Sequence, residues 1–395
     1  MNRVTSTTVS RLGALASLLY ATTGCFGAVQ TEAPPGGGGT GERNPDAGAW
    51  ATSSQGDTGT DAADAASADT GAQPTVLQAE QAGPAVLIIS SGDVDEDGAI
   101  AADDVNVYWS VLNAQGVYAL MSCPVSGCGG SPTTVWTGVN AGSVPGELVA
   151  AAGRIYFQTD DVALVDCPSS GCGGAPTPFA PTTQTSTESA SLAADSQNLY
   201  WQAAGSLYSC ALGATCASPH EVARLGPGAV VEQIVPDGAT LYWVDSGNGQ
   251  LGSAGLSSGS GGATNVVCAI PAVTTGLIGQ GSFAIAGGYA YVSSGVQPPG
   301  IGGGVYRCAL GAGAGGDATL FASDPTAIYV ESDGESLFWL SGDPTAMTEL
   351  KNCAPAATCS GATSFLGPTQ HMEGFTLAGG FVYSVSSDVQ RTAKM

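Results

Sequence analysis

The residues best placed to do chemistry are Asp93, Asp95 and Asp97, in the run Asp93-Val94-Asp95-Glu96-Asp97-Gly98. Aspartates at positions 1, 3 and 5 with glycine at 6 open a calcium-binding loop, and Asp104 falls at position 12. Asp104 completes such a loop only if a helix starts near Ala101. If Ala99–Ala102 is instead a strand, at ~3.3 Å per residue it carries Asp104 well away from Gly98. Two readings remain open: Asp93, Asp95 and Asp97 hold Ca²⁺, or they form a solvated acidic turn.

Eleven cysteines are the second chemical feature. Cys123 and Cys128, and again Cys167 and Cys172, lie in C-P-x-S-G-C-G-G; Cys210 and Cys216, and Cys353 and Cys359, are spaced C-x5-C. Zinc needs four ligands together, whereas these pairs are scattered along the chain. Four local disulfides are expected, with an exported protein as their setting. Cys308 aligns with Cys210 but has Ala314 where a partner would stand. Cys268 is the other cysteine left over, so a Cys268–Cys308 bridge is expected.

Catalytic sets are sparse. The two histidines, His220 and His371, read as loop residues, and the adjacent Asp160-Asp161 reads as a solvated turn. No phosphate loop or paired-histidine zinc helix is present. A non-catalytic binding or interaction module is the expected function; a secreted hydrolase or lyase on the same scaffold is the alternative.

The elements that must position these residues repeat. One seven-residue block recurs seven times: Asp103–Trp109, Ala151–Phe157, Asp195–Trp201, Asp237–Trp243, Ala286–Val292, Asp333–Trp339 and Ala378–Ser384. Its aromatic anchors, Tyr108, Tyr156, Tyr200, Tyr242, Tyr291, Phe338 and Tyr383, are 48, 44, 42, 49, 47 and 45 residues apart. That period with strand-like content predicts four-stranded propeller blades. The fold class expected is all-β, a single propeller of seven blades over residues 81–395, with six as the alternative. Asp103, Asp195, Asp237 and Asp333 suit turns between first and second strands. The chain stops after the third strand of the last unit, so Ala85–Ser90 is expected to supply its fourth strand beside Ala393. Such closure removes an exposed edge.

The L-Y-W, V-Y-W and L-F-W blocks, with Tyr242-Trp243-Val244-Asp245 nearest to the full motif, resemble the YWTD repeats of low-density-lipoprotein-receptor-type propellers and their bacterial relatives. That family has six blades, against seven units here. At the N-terminus, Arg3 and Arg11 flank the start of an apolar run, Leu12–Ala21, too short to span ~30 Å of hydrocarbon. Thr22-Thr23-Gly24-Cys25 resembles a bacterial lipobox, with Thr22 where leucine is usual. Residues 1–24 then read as a signal peptide, Cys25 as the lipidated residue, and 25–80 as a disordered tether poor in large apolar side chains. The expected location is a membrane-anchored lipoprotein of the cell envelope, at the outer membrane. The net charge of −24 argues against nucleic acid, and against membrane contact other than through that lipid. A monomer bound to a protein or glycan is the expected state, with no cofactor besides the Ca²⁺ considered above.

Overall fold

The computed structural model describes residues 82–90, 99–112, 116–138, 147–159, 164–180, 191–213, 215–257, 261–270, 283–294, 303–311, 315–342, 347–355, 358–370, 372, 374–386 and 388–394. The segment 1–80 with Cys25, the residues Asp93, Asp95 and Asp97, and Asp160, Asp161 and His371 lie outside them.

Seven antiparallel sheets follow one another along the chain, each a blade. Blade 1 is Ile100–Ala102, Asn106–Leu112, Tyr118–Pro124 and Thr133–Thr137; blade 2 is Leu148–Ala151, Arg154–Gln158, Leu164–Pro168 and Thr177–Pro178. Blade 3 is Leu192–Ala194, Asn198–Ala203, Ser206–Ala211 and His220–Arg224; blade 4 is Val231–Asp237, Thr240–Asp245, Gln250–Gly255 and Asn265–Ala269. Blade 5 is Phe283–Ala286, Tyr289–Ser293, Gly304–Ala309 and Thr319–Ser323; blade 6 is Ala327–Ser332, Leu337–Gly342, Met347–Cys353 and Thr363–Gln370. Blade 7 is Gly374–Ala378, Phe381–Val385 and Asp388–Lys394, completed by Ala82–Ser90. First strands touch the first strands of neighbouring blades all the way round, blade 7 to blade 1 included, so the protein is a closed seven-bladed β-propeller. The described residues contain no helix.

The closure follows the count of strands. Ala82–Ser90 runs antiparallel to Asp388–Lys394, with Ala85 opposite Thr392 and Ser90 opposite Asp388; the strand starts three residues earlier than Ala85. Ile100–Ala102 is a strand, and Asp104 sits exposed in the turn after it, which removes Asp104 from any loop built on a following helix.

Each blade packs on both faces, so a first strand can be continuously apolar rather than alternating, as in Leu148–Ala151. Along the second strand, successive side chains point to opposite blades. Tyr108 joins a core with blade 2, and Trp109 joins one with blade 7.

The turn aspartates do what their position requires. Asp103 Oδ1 accepts the Val105 and Asn106 amides at 2.8 and 2.7 Å, and its Oδ2 accepts the Tyr108 hydroxyl at 3.1 Å. Asp195 repeats this with Gln197, Asn198 and the Tyr200 hydroxyl. Burial, followed by the facing aspartate, keeps both phenols protonated far above their ordinary range. In two of the three blocks where alanine replaces the aspartate, the tyrosine hydroxyl reaches the next blade instead. Tyr156 accepts the Gly213 amide at 3.0 Å, and Tyr383 donates to the Val125 carbonyl at 2.9 Å.

All five expected disulfides are present: Cys123–Cys128, Cys167–Cys172, Cys210–Cys216, Cys353–Cys359 and, between blades 4 and 5, Cys268–Cys308. The cysteine loops do more than close on themselves. Each lies in a connection from third to fourth strand that reaches the preceding blade. Cys172 N–H donates to Val135, Cys216 N–H to Phe179 and Cys359 N–H to Phe321, at 2.9, 2.7 and 2.7 Å. Blade 4 makes the same strap without cysteines, through the Gly261 and Gly262 amides on Glu221 and Val222. In blade 5, Gly316–Asp317 adds to the edge of blade 4 in parallel with Cys268–Ala269. Blade 7 has no such connection, because its fourth strand comes from the N-terminal side.

Candidate functional site

Antiparallel order places the turns between second and third strands, and the links from one blade to the next, on one face of the ring. On that face, above blade 3, the described residues contain an open groove of about 560 Å³. One wall is the hairpin turn Ala204-Gly205 with Ser206 and Tyr208; the other is Arg224 and the link Leu225–Ala229. The hairpin turn needs two residues at positive φ, which Ala204 (48°) and Gly205 (74°) supply. Leu225 N–H donates to the Gly205 carbonyl at 3.0 Å and joins the two walls.

The link is held from blade 4. Asp245, almost wholly buried, accepts the Val230 amide at 3.1 Å and the Asn248 side-chain amide at 2.8 Å. Ser246 N–H returns a bond to the Val230 carbonyl at 2.8 Å. A side chain at Gly247 would run into the Gly228 carbonyl, so the glycine permits this close approach. The groove is therefore positioned before anything enters it.

Its polar groups are coupled. Arg224 donates to both oxygens of Glu221, at 3.1 and 3.3 Å, and the Ser206 hydroxyl donates to the same carboxylate at 3.0 Å. The Arg224 hydrogen bonds, with that of Ser206, hold Glu221 below the ordinary carboxyl range and therefore ionised; the same pairing raises Arg224. The Arg224 side chain is 78% exposed. Tyr208 is stacked on Trp201, with ring centroids 5.9 Å apart.

A second, buried polar set links the first strands of neighbouring blades. Glu147 reaches across to the Leu192 amide of blade 3, and Gln233 Oε1 accepts the Phe283 amide of blade 5 at 2.6 Å. Glu331 is aimed the same way, toward Leu377 of blade 7. Burial pushes both glutamates well above the ordinary carboxyl range. Gln233 and Glu147 thereby cap amides of the neighbouring first strands, while both Glu331 oxygens lack a hydrogen-bond partner.

Sequence reasoning did not single out Ser206, Tyr208, Glu221 or Arg224. Arg224 is one of only nine cations in a chain of net charge −24, and Gly226-Pro227-Gly228 is a turn signal; those were the available clues. His220, expected in a loop, opens the fourth strand of blade 3 opposite Ser209 and is exposed. Gly255-Leu256-Ser257-Ser258-Gly259 has the spacing of a nucleophile elbow. That motif needs a strand-to-helix turn, and Gly255 instead ends a strand that leads into a turn. Among the described residues no three His, Cys, Asp or Glu side chains gather as a metal site.

No known protein family matches the sequence, and no curated protein matches it. In three dimensions the chain is similar to a chain of a mitotic checkpoint complex: 10% identity, 80% of this chain and 95% of that one, TM-score 0.51. It is also similar to BamB from Moraxella catarrhalis, at 13% identity over 79% of this chain and 98% of that one, TM-score 0.48. A Mycobacterium tuberculosis puromycin-hydrolyzing peptidase matches at 15% identity over 77% of this chain and 52% of its own, TM-score 0.49. At such identities the likeness concerns the fold alone.

Proposed function

We propose that this protein is a non-catalytic binding propeller of the cell envelope, exported, monomeric, anchored by a lipid on Cys25, and presenting the blade 3 groove to a partner. The observation that carries the reading is the groove itself: an open cleft whose lining residues Arg224 and Ser206 are both engaged by the ionised Glu221 beside it, a carboxylate that makes a poor general acid. Five disulfides agree with an oxidising compartment. The repeat block is read as a divergent YWTD-type unit, with Asp245 of Tyr242-Trp243-Val244-Asp245 tying a turn of blade 4 to the link that enters that blade from blade 3.

The test uses the full chain and Gly226→Trp. A Cβ at Gly226 meets open space, so an indole can be added to this wall of the groove without a clash at its root, and the substitution is chosen to obstruct the groove. Fractionated envelope protein and envelope polysaccharide are passed over both immobilised forms. Retention of one component by the wild type, lost in Gly226→Trp, is the expected result. Turnover in a glycosidase, esterase and lyase panel, abolished by one groove or channel substitution, would replace this reading with an enzyme.

A further inference from the structure

Resting on the groove as a binding site, we infer that its ligand is an uncharged saccharide. The cleft holds a volume suited to a small ligand, about 560 Å³. Its one cation is already neutralised by the two bonds from Arg224 to Glu221. An anion would have to displace Glu221 and approach a chain of net charge −24. A cation would have to displace Arg224. An uncharged ligand leaves the pair intact and uses what the lining offers: the planar N–H donors of Arg224 and the Ser206 hydroxyl, directional groups suited to ring hydroxyls.

Apolar surface lies beside these polar groups, with Leu225 and Pro227 next to Arg224 on one wall and the Tyr208 ring next to Ser206 on the other. A sugar ring, with hydroxyls around its edge and C–H groups on its face, matches a cleft whose walls each mix polar and apolar groups. The bare backbone adds to the match. Gly226 has neither a positive φ nor a neighbour that a side chain would strike, so neither conformation nor packing calls for glycine there. Its absence of side chain leaves peptide groups of the link open to a ligand.

An extended peptide is disfavoured by the edge next to the cleft. Glu221 and Val222 offer their carbonyls to Gly261 and Gly262 of the blade 4 strap, and Ala223 bridges to Gly262. That edge is occupied, so the main-chain pairing by which peptides add to sheets is unavailable there.

Calorimetry with the full chain and neutral tetrasaccharides of glucose, mannose and N-acetylglucosamine tests the assignment, with polygalacturonate as the anionic probe and a lysine-rich peptide as the cationic one. One neutral sugar is expected to bind, with affinity changing less than about twofold between low and high salt. Gly226→Trp should weaken it more than about tenfold, and Tyr208→Phe, which keeps the ring, only slightly. Arg224→Gln should weaken it about three- to tenfold at every salt concentration, as loss of a hydrogen bond and not of a net charge. Salt-sensitive binding of polygalacturonate or the peptide, lost in Gly226→Trp, overturns the saccharide assignment and leaves the groove as a binding site. Sugar binding indifferent to Gly226→Trp overturns the groove. Failure of every neutral sugar to bind overturns the assignment.

Discussion

Gln233 shows what Glu147 is for. Glu147 lies just before one first strand and Gln233 within another, and each takes up an amide of the next blade, Leu192 for the first and Phe283 for the second. The amide side chain does this without a titratable proton; the carboxyl does it buried, with Oε1 unpartnered. Because burial raises the folded-state value of Glu147, the folded form keeps a proton that the unfolded chain releases above the ordinary carboxyl range. Stability contributed by that proton is complete below the ordinary value and is lost as pH rises toward the folded one. The loss is at most about 1.4 kcal/mol per pH unit for one group. Glu147→Gln is therefore expected to match the wild type in urea near pH 4 and to be more stable at pH 7. Equal midpoints at both pH values would show that Glu147 is ionised in place. Glu331 contributes a slope of the same sign, so the single variant flattens the profile without abolishing it. None of this was legible in the sequence, where Glu147 is one acid among many; only strand pairing brings it against Leu192.

At the scale of elements, the repeat was legible because the propeller writes one aromatic anchor per blade on the second strand, followed in five of the seven blocks by a second aromatic on the opposite face. Tyr108 and Trp109 must fill the gaps on either side of blade 1, and every unit faces the same two gaps. The cysteine pairs were legible from spacing alone. The straps were not, because they consist of backbone bonds from glycine-rich loops, such as Gly261 and Gly262 on Glu221 and Val222, with no side-chain pattern to betray them. The groove was hidden for a related reason: Gly205, Leu225 and Asp245 meet only after two blades have formed. The straps give the disulfides unequal weights. Cys353–Cys359 closes a short loop, with a sequence separation of 6, whereas Cys268–Cys308 spans 40 residues and two blades. Loop-closure entropy assigns about 2 kcal/mol to the first and about 4 kcal/mol to the second. Paired Cys→Ser replacement, followed by urea unfolding, should show the Cys268/Cys308 variant as clearly the less stable; equal losses would mean that the loops and not the cross-links hold the straps.

Over the whole molecule, the ring has one joint made differently from the others. Straps join blades 2 to 6 to the blade before each, and Val125 of the blade 1 connection accepts bonds from Tyr383 and from Arg391 of blade 7. Between blades 6 and 7 there is no connection to serve, since Ala82–Ser90 and Asp388–Lys394 come from opposite ends of the propeller sequence. Lys394 takes the place of the strap. It pairs with Asp333 in the turn of blade 6, and its ammonium lies 5.9 Å from the centre of the Phe338 ring. Asp333 meanwhile uses Oδ1 to hold the Glu335 and Ser336 amides, so one side chain both shapes its turn and receives the closing residue. The two side chains are only 12% and 17% exposed. Loss of one partner then leaves a largely desolvated charge, costing on the order of 2 kcal/mol, more than an exposed pair and less than a fully buried one. Lys394→Met keeps the stem and removes the charge, and should lower the urea midpoint accordingly. Asp333→Asn keeps an oxygen for the two amides, so the double variant should be less destabilised than the sum of the singles, by about 1 kcal/mol or more. Strictly additive losses would mean that Lys394 and Asp333 act apart, and that pairing of the two terminal strands closes the ring without them.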